Sequence, residues 1–165
     1  IDSGIWALSY LLSMYQHKLK CMQFFYEPQI YVNSVPISLE ELTQYAIYLD
    51  PVCPLFSKNK SIYKLSQKYI KESHSQQRVC DIFDLFNISE HKQNRLLDQV
   101  GNDLFQVMAA IGISANKKIF CLPWMSEKRF QYYQNHLDAV IKTLTRLGCI
   151  VIVPRGRSQT KINDL

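Results

Sequence analysis

The clearest pattern of apolar and polar positions lies between residues 117 and 154, where two short apolar runs flank a long amphipathic stretch. The runs at 118–123 and 149–153 are rich in β-branched residues and bounded by breakers, which is typical of buried strands. Between them, apolar residues recur every three or four positions, as on one helix face. Ser126 can cap the start of this helix and Gly148 its end. The pattern predicts a βαβ unit with parallel strands.

A heptad pattern marks the beginning of the chain, over residues 5–26. Trp6 and Phe25 lie off the heptad seam, so this predicted helix is apolar on more than one side. Such a helix is buried in a core or covered by another subunit. The apolar run at 5–15 is too short to span a bilayer. The seam consists of Ile5, Leu8, Leu12, Tyr15, Leu19, Met22 and Tyr26.

Residues 29–49 combine strand and helix signals. The run at 29–37 predicts two short strands around a turn at Asn33 and Ser34. Ser38 and Glu41 then have the spacing of a capping box, in which each side chain accepts from a backbone amide of the other. Leu42, Tyr45, Ala46 and Leu49 share one face of the predicted helix, which Pro51 ends.

Three further helices are predicted before the βαβ unit. An amphipathic helix covers 58–73, and a short apolar helix covers 79–86. Ser89 is expected to cap a long helix that runs to Gly112. Gly101 in the middle of that helix indicates close packing or a kink.

These elements predict an α-rich α/β fold, with a small sheet that contains the βαβ unit at 118–153 packed against several amphipathic helices. Residues 1–154 are expected to form a single domain, followed by a mobile basic tail at 155–165. At 47% hydrophobic and 20% charged residues, the composition is that of a globular protein. The net charge of +5 is compatible with an anionic partner without requiring one.

The cysteines give no sign of a metal site. The chain has five cysteines, with no CxxC motif and no Cys/His cluster at zinc-ligand spacing, so no metal and no cofactor is expected. Free thiols are typical of a reducing compartment, which favours the cytoplasm.

One alternative function is DNA binding through a helix-turn-helix at 79–99. Two short helices would meet at residues 87–89, and the second would expose Lys92, Asn94 and Arg95, whose side chains are types that read base edges. The motif departs from the usual pattern at Gln93, where an apolar core residue is expected.

A second alternative is an anion- or nucleotide-binding enzyme domain. In α/β sheets, ligands bind outside the carboxyl ends of the strands, here at 123–126 and 155–157. The helix start at Ser126 and the guanidinium groups of Arg155 and Arg157 could hold an anion. Neither a GxGxxG nor a GxxxxGK[ST] motif occurs in the chain, so the phosphate cradle of the common nucleotide-binding folds is missing.

Catalytic motifs are likewise absent from the sequence. The four histidines lie in four different segments, and neither GxSxG nor HExxH occurs. The sequence therefore favours a protein that is not an enzyme. It leaves open the alternative of a catalytic site assembled from residues that are distant in the chain.

The aromatic content favours a protein partner. Tyr, Trp and Phe are the residue types enriched at interface centres, and the chain has ten, two and eight of them. We therefore expect a non-catalytic interaction subunit, that is, an adaptor, chaperone or scaffold component of a larger cytoplasmic assembly. The expected contact residues are Trp6, Tyr15, Phe25, Trp124 and Tyr132.

Overall fold

A computed structural model of the protein describes residues 30–32, 34–56 and 59–154. The predicted first helix at 5–26 and the tail at 155–165 lie outside these residues. The described chain has an α-rich α/β fold, as predicted. Its elements, in chain order, are β1 (Ile30–Val32), β2 (Val35–Ile37), α1 (Leu39–Tyr45), β3 (Ala46–Tyr48), α2 (Ile62–Glu72), α3 (Val79–Leu85), α4 (Glu90–Gln93), α5 (Leu104–Ser114), β4 (Ile119–Cys121), α6 (Glu127–Arg146) and β5 (Ile150–Ile152).

The predicted βαβ unit is confirmed, and it contributes two strands to a three-stranded parallel sheet. The strand order is β3-β4-β5, with β4 in the centre. Ile47 lies opposite Phe120, and Phe120 lies opposite Val151. Because the strands follow one another in chain order, both crossovers run in the same direction. Right-handed connections then bring their helices to one face of the sheet.

Both ends of α6 are capped as the sequence predicts. The Ser126 hydroxyl accepts a backbone N–H from the first turn at 3.4 Å. At the other end Gly148 has a φ of 75°, the left-handed conformation that glycine adopts without a steric penalty. Its N–H donates to the carbonyl of Thr145, and the N–H of Cys149 donates to that of Leu144, both at 3.0 Å. This pair of bonds is a Schellman motif, and it satisfies carbonyls that the helix end would leave unpaired.

The hairpin and the capping box before β3 are also confirmed. β1 and β2 pair antiparallel, with Val32 opposite Val35, and form a two-stranded sheet separate from the parallel one. The Ser38 N–H donates to the Glu41 carboxylate at 3.0 Å, and the Glu41 N–H donates to the Ser38 hydroxyl at 3.1 Å. The hydrogen bonds that the Ser38 N–H and the Ser38 hydroxyl donate to the Glu41 carboxylate lower the pKa of this group.

The prediction that α1 continues to Leu49 is wrong, because residues 46–48 form strand β3. These residues pair with β4 in the sheet, and the ammonium group of Lys117, just before β4, donates to the carbonyls of Thr43 at 3.2 Å and Gln44 at 2.5 Å. These carbonyls lack helical partners because α1 stops at Tyr45, and the lysine satisfies them. The continuous apolar run at 46–49 fits a buried strand as well as a helix.

The predicted long helix from Ser89 to Gly112 is also wrong. The helix α4 has four residues, after which Leu96 is extended (φ −77°, ψ 160°) and Gly101 has a φ of 61°. These two backbone conformations are incompatible with a continuous helix, so two short 3₁₀ turns intervene before α5 begins at Leu104. The proposed helix-turn-helix at 79–99 therefore lacks its second, recognition helix.

Helix α5 connects the core to the carboxyl edge of the sheet. It packs on β3 and β4 near its C-terminus, where Gly112 lies against the buried side chains of Phe120 and Ile47. Leu104 lies eight residues earlier, which is about 12 Å along a helix axis. Because α5 leads into the amino end of β4, its own N-terminus lies toward the carboxyl ends of the strands.

Candidate interaction site at the carboxyl edge of the sheet

Two loops leave the parallel sheet side by side at its carboxyl edge. The N–H of Leu49, just after β3, donates to the carbonyl of Cys121 at the end of β4 with a distance of 2.8 Å. Residues 49–56 and 122–126 therefore begin next to each other. In α/β folds, this edge is where loops from neighbouring strands form binding sites.

The loop after β3 is held by several hydrogen bonds. The Asp50 carboxylate accepts the N–H of Val52 at 3.0 Å, and the Asp50 carbonyl accepts the N–H of Cys53 at 2.9 Å. The Tyr69 hydroxyl, on α2, donates to the carbonyl of Leu55 at 2.9 Å. Val52 is nevertheless 67% exposed. An apolar side chain is thus presented to solvent on a well-anchored backbone.

An open apolar pocket of about 330 Å³ lies beside this loop. Its walls come from the loop after β3 and from the turns that lead into α5, and Asp98 is the one charged side chain among the described residues that line it. Such a volume is at the lower end of the range for small-molecule sites. The lining residues are Pro51, Phe56, Leu97, Asp98, Gly101 and Leu104.

Two predicted contact residues lie at the same end of the sheet. Trp124, in the loop after β4, is 39% exposed, and Tyr132, in the second turn of α6, is 72% exposed. Tyr132 makes an edge-to-face contact with Tyr133 at 4.9 Å between ring centroids, and Tyr133 makes another with Phe105 at 5.6 Å. A row of rings thus runs from the core at the start of α5 to the surface. We refer to Val52, Trp124, Tyr132 and the pocket as the carboxyl-edge surface.

Of the remaining predicted site residues, Ser126 alone lies within the described part of the chain. Trp6, Tyr15 and Phe25 lie outside the described residues, as do Arg155 and Arg157. Ser126 caps α6 with its own hydroxyl, and the carboxylate of Glu127 follows in the first turn. The described part of the predicted anion site is therefore a helix start that already carries a cap and a negative charge.

Burial changes the acid–base properties of two groups behind the loop. It raises the pKa of the Cys53 thiol and that of the Tyr69 hydroxyl. Both groups therefore keep their protons at neutral pH, and neither is an activated nucleophile or base. Among the described residues, no group of three or more His, Cys, Asp or Glu side chains is positioned to hold a metal ion. Within the same residues, no helix has both the length and the apolar character needed to cross a bilayer.

Sequence reasoning missed the pocket and Val52. The pocket joins residues 51 and 56 to residues 97–104, which are more than 40 positions apart in the chain. No sequence motif links these segments. The turns that form one wall of the pocket lie within residues 89–112, which the sequence predicted to be one continuous helix. The single available signal was the pair of prolines at 51 and 54, which indicates an irregular loop after an apolar run.

No protein-family model matches the chain, and comparison of its sequence with curated proteins gives no significant match.

Proposed function

We propose that this chain is a non-catalytic protein-interaction subunit of a larger assembly, and that its partner inserts an apolar side chain at the carboxyl-edge surface. One observation carries the proposal: Val52 is exposed on a hydrogen-bonded loop whose Pro51 and Phe56 line an open apolar pocket of about 330 Å³. A partner could therefore pack against the exposed side chain and insert an apolar group of its own into the pocket.

The energetics of burial support a partner there. Removing a valine side chain from water contributes roughly 1.5–3 kcal/mol, and Trp and Tyr are the residues that most often dominate interface energies. Trp124 and Tyr132 supply such rings at the same end of the sheet. Because the loop is already ordered, binding would not have to offset the entropy of ordering it.

The charge of the pocket favours an apolar partner over an anion. Among the described residues that line the pocket, Asp98 is the one that carries a charge, and its carboxylate would repel a phosphate or nucleotide that entered there. The four described cysteines are all free thiols, which supports a cytoplasmic adaptor, chaperone or scaffold component.

Two matched valine substitutions test the proposal. Val52→Asp places a charge on the carboxyl-edge surface, whereas Val35→Asp places one on the hairpin at similar exposure, 64%. Each tagged variant is expressed in the native host, and the proteins that remain bound after chemical cross-linking are quantified by mass spectrometry. Val52→Asp and Trp124→Ala are expected to reduce retention of the main partner at least tenfold, while Val35→Asp leaves it unchanged.

Either of two results would overturn the proposal. A partner retained equally by the wild type and the Val52→Asp and Trp124→Ala variants would lie elsewhere on the chain. A chain that cross-links to nothing and sediments as a monomer in native lysate would have no partner. Because Val52 is exposed, its substitution leaves the core intact, and circular dichroism provides the folding control.

A further inference from the structure

The parallel sheet has a second face, opposite the one that packs on α5. Successive residues of a strand point to opposite faces, and the side chains of Ile47 and Phe120 lie against Gly112 of α5. Their neighbours in β3 and β4 therefore point to the other side, and so do the residues of β5 that pair with those neighbours. The second face consists of Ala46, Tyr48, Ile119, Cys121, Ile150 and Ile152.

This second face is apolar, and most of it is buried within the chain. Tyr48 has 5% of its surface exposed and Cys121 has none, whereas Ile150, on the edge strand β5, is 60% exposed. All-parallel sheets are normally covered on both faces. The burial of β3 and β4 on this side therefore requires a layer of protein over the second face.

The described elements do not supply this layer. Helices α2, α3 and α6 pack against α5, which is on the side of Ile47 and Phe120. Helix α1 has seven residues, of which Leu42 is the one buried among the described side chains. The hairpin before it exposes Tyr31 and Val35. Because the burial values refer to the chain alone, the layer comes from another part of the same chain.

The composition of the remaining segments identifies the better candidate. The tail at 155–165 has two large apolar residues, Ile162 and Leu165. The segment 5–26 carries an apolar residue at every heptad position of its seam, a stripe that a helix presents on one side. A helix of this length measures about 33 Å, whereas three adjacent strands span about 10 Å. The segment is thus long enough to cross the whole sheet.

The connection to the sheet favours docking within one chain. Three residues separate position 26 from β1 at Ile30, and α1 runs directly into β3 at Ala46. The segment is therefore tethered to a strand that it would cover. A short tether gives an effective concentration of about a millimolar, so the segment of the same chain outcompetes that of a second copy in dilute solution.

We propose that residues 5–26 form a helix whose heptad seam packs on the second face of the parallel sheet and completes a three-layered domain. The occupant of this face is thus a segment of the same chain, and not a partner protein. The second face is separate from the carboxyl-edge surface, so either proposal can fail without affecting the other.

Photo-cross-linking on the full chain tests where the segment lies. Ile150 is exposed on the second face, so p-benzoylphenylalanine can replace it without disturbing the core. After irradiation, mass spectrometry is expected to find its cross-links on peptides from residues 5–26 of the same chain. The matched control carries the probe at Leu85, which is 44% exposed on α3, and should give no cross-link to these peptides.

Two neighbouring substitutions test the seam itself. Leu12→Asp places a charge on the seam, and Ser13→Asp places one beside it. If the seam covers the second face, Leu12→Asp should make the Cys121 thiol react with iodoacetamide about tenfold faster, since local opening then exposes it. Cys53, which is not on the second face, should keep its rate, and Ser13→Asp should change neither rate.

Three results would overturn the proposal. The probe at Ile150 could link to a second copy or to another protein in place of residues 5–26, or it could link to nothing. Alternatively, Leu12→Asp could leave Cys121 as protected as Ser13→Asp does. Equal acceleration of Cys53 and Cys121 would mean that Leu12→Asp unfolds the whole chain. The cross-linking experiment then decides, because it leaves the segment unaltered.

Discussion

Gly112 and Phe120 are so close that a side chain on the glycine would collide with the aromatic ring. A Cβ atom built at Gly112 lies 2.6 Å from Cε1 of Phe120 and 3.3 Å from Cδ1 of Ile47. Both neighbouring side chains are completely buried, so neither has free space into which it can shift. This contact sets the distance between α5 and the parallel sheet.

Gly112→Ala is therefore expected to destabilise the protein, although alanine is the better helix former. Overpacking in a core costs about 1–3 kcal/mol, and the gain in helix propensity is about 1 kcal/mol. We expect the free energy of unfolding, measured with urea, to fall by up to about 2 kcal/mol, which is the upper overpacking cost less the gain in helix propensity. Adding Phe120→Leu should recover part of this loss, so the double variant is less destabilised than the sum of the single ones. Strict additivity would contradict the contact.

Two other glycines test the effect of a left-handed backbone in the absence of a steric collision. Gly101 and Gly148 have φ values of 61° and 75°, and a Cβ atom at either one meets nothing within 4 Å. Alanine at either position should lower the free energy of unfolding by about 1 kcal/mol, from the left-handed backbone alone. Asparagine tolerates this conformation, so Gly148→Asn should lose less than Gly148→Ala. Equal losses for alanine and asparagine would contradict this explanation.

The sequence predicted those elements whose start and stop signals are local. Ser126 and Gly148 bound α6 because capping depends on residues within one helical turn. The same holds for the capping box of Ser38 and Glu41. These features depend on residues that are close in the chain, so the local sequence is enough to predict them.

The errors arose where a distant residue decides the local structure. Strand β3 pairs with β4, and Lys117 caps the end of α1, both from about 70 positions away, so the apolar run at 46–49 alone could not distinguish strand from helix. The pairing of Gln106 with His136 joins two helices 30 residues apart, and neither residue stands in a recognisable motif. The break at Gly101 was visible in the sequence only as an unfavourable helix residue.

The burial of the cysteines predicts their order of reaction with iodoacetamide. Cys80 is exposed, whereas Cys53, Cys121 and Cys149 have at most 6% of their surface exposed. Access to the three buried thiols requires opening of the core, so they should react on the order of a hundredfold more slowly than Cys80. Peptide mass mapping reads each position separately. In guanidinium chloride the four rates should become similar, and fast native labelling of Cys121 would show that the core is not packed as described.

Alkaline pH should destabilise the protein through two buried acids, the Cys53 thiol and the Tyr69 hydroxyl. Burial raises the folded-state pKa of Cys53 above its usual value of 9.0 and that of Tyr69 above 10.0. Between the unfolded and the folded pKa of each group, the unfolded state loses its proton while the folded state keeps it. The unfolded state then binds fewer protons, so the free energy of unfolding falls as the pH rises through this window.

Urea unfolding between pH 8 and pH 11, under reducing conditions, measures this effect and assigns it. The wild type should lose stability above about pH 9, and Cys53→Ala should show a shallower decline from there. Tyr69→Phe should retain the decline near pH 9 and flatten it above pH 10, since it keeps the thiol and lacks the phenol. Cys149, whose pKa burial also raises, leaves some slope in both variants. Because either substitution also changes packing, the slope with pH, and not the stability at neutral pH, decides the outcome, and slopes identical to that of the wild type would contradict the assignment.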